Sequence, residues 1–186
     1  SAWITPEEEG TKPDHFIGTC YMYGAEAAKK SPDIDQEIRQ IALDWENGDA
    51  NTWKLWELVI GYAHNGINQT LARIGSHWDL VWHEHEHYKD GRGMIMDNIP
   101  KGIFKKLDNG AVLSNLEAYN LPDTIVLKSD GTSLYITQDI ALTKLKKERF
   151  NADKLFWVVG PEQSLAMKQV FAICEQLGVG KLSDFT

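Results

Sequence analysis

Three stretches of the chain bring together side chains able to bind or transform a polar ligand. The first is Tyr135-Ile136-Thr137-Gln138-Asp139-Ile140-Ala141. Its pattern puts Tyr135 near the end of a hairpin strand and Asp139 at the opening of a helix. A phenol and a carboxylate so placed suit a guanidinium or ammonium, which can take a charge-assisted and even bidentate hydrogen bond. Helix capping is the competing account of Asp139, because a helix dipole favours a carboxylate in the first turn. The second stretch is Gly160-Pro161-Glu162-Gln163. Gln163 offers both a donor and an acceptor to a ligand's polar end, or simply belongs to a loop that caps the next helix. The third is His83-Glu84-His85-Glu86-His87-Tyr88. Imidazole and carboxylate both bind zinc, but the spacing is not the helical His-Glu-x-x-His pattern. On a strand, His83, His85 and His87 would share one face, either as metal ligands or as a solvated edge. No metal site is assigned to them.

The elements that carry these residues follow from periodicity. Residues 1–75 read as a helical segment. An exposed lead-in with Pro6, Glu7, Glu8, Glu9 and Gly10 precedes a helix over His15 to Lys29,. Ser31, Pro32 and Asp33 mark a second helix start, with Ser31 as capping hydroxyl,. Ile34, Ile38, Ile41 and Trp45 hold its stripe until Gly48. Thr52 is expected to cap a third helix that runs from Trp53 to Ile74 and ends at Gly75, with His64 packed on its stripe,. Residues 76–186 change character. Leu80 to Trp82 reads as a strand, and Ile103-Phe104 as a helix turn after Pro100. Asp108-Asn109-Gly110 reads as a turn before Ala111 to Leu113. Thr124 to Lys128 and Thr132 to Ile136 read as a hairpin around Asp130-Gly131,. A helix follows from Asp139 to Phe150. Leu155 to Val159 reads as a strand buried on both faces, then Gly160-Pro161 breaks it and a helix spans Ser164 to Leu177,. A buried strand, a tight turn and a helix form half of a doubly wound α/β unit, in which ligands bind beyond the carboxyl ends of the strands.

Composition narrows the partners. The 186 residues carry a formal net charge of -8, which does not suit an autonomous nucleic-acid binder,. The one basic run, Lys144, Lys146, Lys147 and Arg149, reads as a solvated helix face or a local RNA contact,. Every apolar stretch is interrupted by charge, so neither a membrane span nor a signal peptide is visible, and a cytoplasmic protein is expected. The two cysteines, Cys20 and Cys174, read as buried free thiols,.

Taken together, these motifs closely resemble the catalytic core of arginyl-tRNA synthetases, a class I family. The resemblance runs from Leu127 to Gly178: Lys128-Ser129-Asp130-Gly131-Thr132, then Tyr135-x-Thr137-x-Asp139-Ile140-Ala141, then Ala152-Asp153-Lys154, Val158-Val159-Gly160, Glu162-Gln163, Gln169-x-Phe171-Ala172-Ile173 and Leu177-Gly178. Asp79, Glu84 and Tyr88, and farther back Glu46-x-Gly48-Asp49 and Leu55-Trp56, extend it more weakly. The chain departs from the pattern at Gln138, where many relatives carry arginine.

The resemblance implies a portion of a Rossmann-type, doubly wound α/β catalytic core with a helical N-terminal part and a hairpin insertion. It implies that Tyr135 and Asp139 read the arginine guanidinium, that Glu84 also faces it, and that Gln163 contacts the amino-acid end. Two carboxylates around one planar fork would reject lysine, a point charge, and citrulline, which has no charge. The implied parent is a ligase that activates L-arginine with ATP and Mg²⁺ and transfers it to tRNA(Arg). Its His-Ile-Gly-His-type and Lys-Met-Ser-Lys-Ser-type signatures are absent from these residues. The chain alone is therefore expected to contain no catalytic residue, to bind no cofactor and not to activate arginine. A non-catalytic arginine-sensing or interaction module, and a His-rich metal-dependent hydrolase, are the alternative functions.

Overall fold

The computed structural model describes residues 4–186, apart from the side chains of Glu84, Tyr88 and Lys89. The chain divides into two compact units, residues 1–80 and 81–186.

The first unit is helical: α1 (Pro6–Glu9), α2 (Pro13–Lys30), α3 (Pro32–Glu46) and α4 (Ala50–Arg73). Proline occupies the first turn of α1, α2 and α3, where its missing N–H costs nothing,. The lead-in contains a helical turn rather than irregular chain. Thr5 N–H donates to Glu8 Oε2 at 2.9 Å and Glu8 N–H donates to Thr5 Oγ1 at 3.3 Å, a reciprocal capping box,. Ser31 makes no side-chain cap bond to α3, contrary to expectation. The cap of α4 is Asp49, not Thr52. Asp49 Oδ1 accepts from the N–H groups of Asn51 and Thr52 at 3.1 and 2.8 Å and from the Thr52 hydroxyl at 2.9 Å. A carboxylate outcompetes the hydroxyl because it accepts from both free amides and also carries the charge that a helix start favours.

Specific contacts tie the helices of this unit to one another. The Lys12 ammonium binds Asp14 at 2.7 Å and Thr70 Oγ1 at 2.9 Å, and also reaches the Gly66 carbonyl, tying the start of α2 to the end of α4. Gly66 must be glycine here, since a Cβ would lie 2.5 Å from the Asp14 backbone nitrogen. At the α3–α4 elbow, Trp45 and Trp53 stack with ring centres 5.0 Å apart, and the Trp53 indole N–H donates to the Trp45 carbonyl at 2.9 Å. Cys20, expected to be buried, is exposed on α2.

The second unit is mixed. Its helices are α5 (Tyr88–Asn98), α6 (Tyr135–Phe150) and α7 (Ser164–Gln176), and its strands are β1 (Phe104–Lys106), β2 (Val112–Ser114) and β3 (Thr124–Leu127). The strands form an antiparallel sheet in the order β1-β2-β3, pairing Phe104 with Ser114 and Val112 with Leu127. Ile95, Phe104, Val112, Leu116, Val126, Leu127, Ile140 and Ile173 form a core shared by the three helices and the sheet. Phe104 thus belongs to a strand, not to a helix turn.

Four further expectations change. Leu80 to Trp82 forms no strand. Residues 83–87 are not a strand either: Glu84–Glu86 is a 3-10 turn that leads into α5, a helix the periodicity did not reveal because Gly91 and Gly93 interrupt it. Gly91 has a reason to be there, since a Cβ would lie 2.5 Å from the Thr137 carbonyl. The backbones of α5 and α6 touch at that crossing. The hairpin after β3 is curtailed. Its turn forms as expected, with Gly131 at φ 81° and Thr132 N–H bonded to Asp130 Oδ1 at 2.9 Å. Its second arm, however, is only a bridge from Ser133 to Leu127 before α6 begins.

Leu155 to Val159 is extended, and its parallel partner is the segment 184–186: Leu155 N–H donates to the Asp184 carbonyl at 2.8 Å and Trp157 N–H to the Thr186 carbonyl at 2.7 Å. Only one face of it is covered. Leu155 and Trp157 pack against the core, whereas Phe156 and Val158 are 70% and 101% exposed. The Lys147 ammonium fastens this pairing through the Ala152 carbonyl at 2.8 Å and Asp184 at 3.1 Å.

Candidate functional site

The start of α6 decides where Tyr135 and Asp139 point. Thr137 is fully buried. Its hydroxyl donates to the Val126 carbonyl of β3 and accepts the Leu134 N–H at 3.3 Å, fixing the first helical turn to the sheet. The helix therefore begins at Tyr135, not at Asp139. Asp139 lies in the second turn, and the helix dipole falls off within the first, so capping does not account for it. Its backbone carbonyl accepts the Thr143 hydroxyl at 2.7 Å. Tyr135 and Asp139, one turn apart, share a helix face with Leu142 and Lys146. Tyr135 is 77% exposed and Asp139 is half-buried.

Gln163 belongs to a different element, the 3-10 turn Pro161–Gln163 that follows the 155–159 segment and precedes α7. Its backbone N–H donates to the Gly160 carbonyl at 3.0 Å, and its side chain is exposed. Glu84 starts the 3-10 turn before α5, and its side chain lies outside the described residues. The structure thus unites Tyr135 and Asp139 on one face and leaves Gln163 and Glu84 on neighbouring segments.

Those segments meet α6 through residues to which the sequence assigned no role in the site. The Lys146 ammonium lies 5.4 Å from the Trp157 ring centre and 5.9 Å from that of Trp82. Arg149 and Phe150 also pack on Trp82, at 6.0 and 5.7 Å. Trp157 in turn rests on Phe171 of α7 at 4.8 Å. Burial pushes the Lys146 pKa below the usual lysine value, and the negative charge of Asp139 opposes that shift. The basic run is therefore not simply a solvated face. Lys144 pairs with Glu148 at 2.6 Å, Lys147 serves the strand pair, and Lys146 sits between two indoles. Its spacing of seven from Asp139 was the available signal, since such residues share a helix face.

The histidines do not make the strand face on which a metal reading depended. His83 and His85 stack with ring centres 5.6 Å apart, and His87 Nδ1 lies 3.5 Å from Asp90. Among the described residues, no three His, Cys, Asp or Glu side chains are grouped to hold a metal ion. A largely apolar cavity of about 600 Å³ opens among Tyr119, Trp157, Val159, Ser164, Phe171 and Phe185, and none of the four candidate residues lines it.

The family model described as "tRNA synthetases class I (R), catalytic domain" matches residues 15–184. An arginine–tRNA ligase of Borreliella afzelii is 32% identical over 185 residues, covering 96% of this chain and 32% of that protein. The arginine–tRNA ligase of Bacteroides thetaiotaomicron is 33% identical over 192 residues, covering 94% of this chain and 32% of its own length. The chain thus spans about a third of the curated relatives it matches. In fold it is similar to the crystal structure of arginyl-tRNA synthetase from Plasmodium falciparum, with a TM-score of 0.68 over 83% of this chain and 27% of that one, at 14% identity. No helix among the described residues is long and apolar enough to cross a membrane. With its mixed helical and sheet unit and a family match over nearly its whole length, the chain belongs to the arginine-type class I tRNA synthetases, as an α/β portion of their catalytic domain.

Proposed function

We propose that these residues supply the arginine-recognition part of an arginine–tRNA ligase, which forms arginyl-adenylate from L-arginine and ATP and transfers the arginyl group to tRNA(Arg). The observation that carries this reading is the shared face of Tyr135 and Asp139 on α6, within a chain matched by the family over residues 15–184. On this reading Asp139 takes the guanidinium through a charge-assisted hydrogen bond, and Tyr135 presents its hydroxyl and ring edge beside it. Gln163 binds the amino-acid end, where its amide can donate to the carboxylate or accept from the ammonium. Glu84 is the second carboxylate. ATP handling is assigned to no residue here, because the sequence carries no recognisable phosphate-cradling loop,.

The test is arginine-dependent ATP–pyrophosphate exchange, with tRNA(Arg) present, by the gene product carrying these residues. Asp139→Ala is expected to lower kcat/KM for arginine at least ~100-fold, since losing a buried charge partner costs roughly 3–5 kcal/mol. Kinetics like those of the parent would remove Asp139 from the pocket.

A further inference from the structure

The four candidate residues occupy three elements, and one side chain touches a neighbour of each. Lys146 shares the α6 face of Tyr135 and Asp139. Its ammonium lies over Trp82, two residues before Glu84, and over Trp157, on the extended segment six residues before Gln163. We propose that Lys146 is the positioning residue of the arginine pocket, its ammonium between the Trp82 and Trp157 rings holding the segments that carry Glu84 and Gln163 against the face of α6. This rests on the arginine-recognition reading above.

The chemistry favours this role over a chance contact. A cation within about 6 Å of a ring centre is attracted to the indole face, most strongly where water is excluded. Lys146 meets that condition twice and is half-buried. The other lysines of the run have partners of their own, Glu148 for Lys144 and Asp184 for Lys147, so the basic run divides into separate tasks. Arg149 reinforces the Trp82 side. The negative charge of Asp139, seven residues back on the same face, favours the charged form of Lys146. Lys146 itself need not touch arginine, so its loss loosens the pocket without removing a reacting group.

The experiment uses the gene product carrying these residues, with arginine and ATP varied separately in the exchange assay. Lys146→Met keeps an unbranched stem and removes the charge. It is expected to raise the KM for arginine about tenfold, the scale of a partly desolvated cation–π contact, with kcat and the KM for ATP within about twofold of the parent. Lys146→Arg, whose guanidinium also stacks on indole, is expected to restore the arginine KM to within about threefold. Trp82→Leu removes one wall without altering charge and raises the arginine KM in the same direction; it decides the question if Lys146→Met does not fold. An unchanged arginine KM in a folded Lys146→Met protein, or equal rises for arginine and ATP, overturns the proposal. Asp139→Ala separates the two levels. If it too leaves arginine kinetics intact, the pocket reading fails; if it alone is defective, only the role of Lys146 fails.

Discussion

Replacing Thr137 by valine tests the link between the sheet and the candidate pocket, because it keeps the side chain's shape and deletes one hydroxyl. That hydroxyl serves two backbone groups: it donates to the Val126 carbonyl and accepts the Leu134 N–H. The two losses are unequal. Val126 is buried, so its carbonyl is left without a partner, which costs about 1–3 kcal/mol,. Leu134 is half-buried, so water can replace its acceptor and the loss there is about 0.5 kcal/mol,. Together they come to roughly 1.5–3.5 kcal/mol, or about 6–25 °C in Tm for a unit of ~100 residues. The assay is thermal unfolding of the chain followed by near-ultraviolet circular dichroism. Thr137→Ser is the control, since it keeps the hydroxyl and removes a buried methyl worth about 1 kcal/mol. The reasoning is refuted if Thr137→Val unfolds within about 2 °C of the parent, or if the serine variant is the less stable of the two.

Two further outcomes follow from charge and burial. Native protein treated with a thiol-disulfide reagent at about pH 8 is expected to show one fast thiol, Cys20, because burial pushes the Cys174 thiol up to about 12 and leaves it protonated,. A second fast thiol, or a fast thiol surviving in Cys20→Ser, would contradict the burial of Cys174. Asp184 has its carboxyl held below the usual 3.8 by the Lys181 N–H and then by the Lys147 ammonium. Because its folded pKa is depressed, its contribution is present above 3.8 and disappears as pH falls through the folded value,. Asp184→Asn is therefore expected to lower the urea midpoint at about pH 7 and to converge on the parent in acid. An equal gap at both pH extremes would mean that the carboxylate charge is not what matters.

Helices with unbroken apolar stripes were readable in the sequence, and α2, α3, α4 and α7 lie within a few residues of expectation. Reading failed where tertiary contact overruled local pattern. The run at Thr132 to Ile136 suggested a strand, but the Thr137 hydroxyl finds the Val126 carbonyl and the helix takes up the last two residues of the run. The glycines of α5 hid a helix because the reason for Gly91 is a backbone on another element. The alternating histidines and glutamates resembled a strand face only because period two was assumed. At the candidate site, residue types and order pointed to Tyr135, Asp139 and Gln163. The environment of Lys146 could not be read, since Trp82 and Trp157 lie 64 residues before and 11 residues after it and nothing local announces their meeting.

The bare face of the 155–159 segment bears on the colloidal behaviour of the chain. Its backbone hydrogen bonds run to residues 184–186, and Phe156 and Val158 stand outward. A short, uncharged run that turns Phe156 and Val158 to solvent is an apolar patch against which another copy can pack,. The net charge of -8 opposes that encounter by repulsion between copies,. Ionic strength therefore sets the balance: salt that screens the repulsion leaves the apolar face unaltered, so this chain is better kept dispersed in dilute buffer than in concentrated salt.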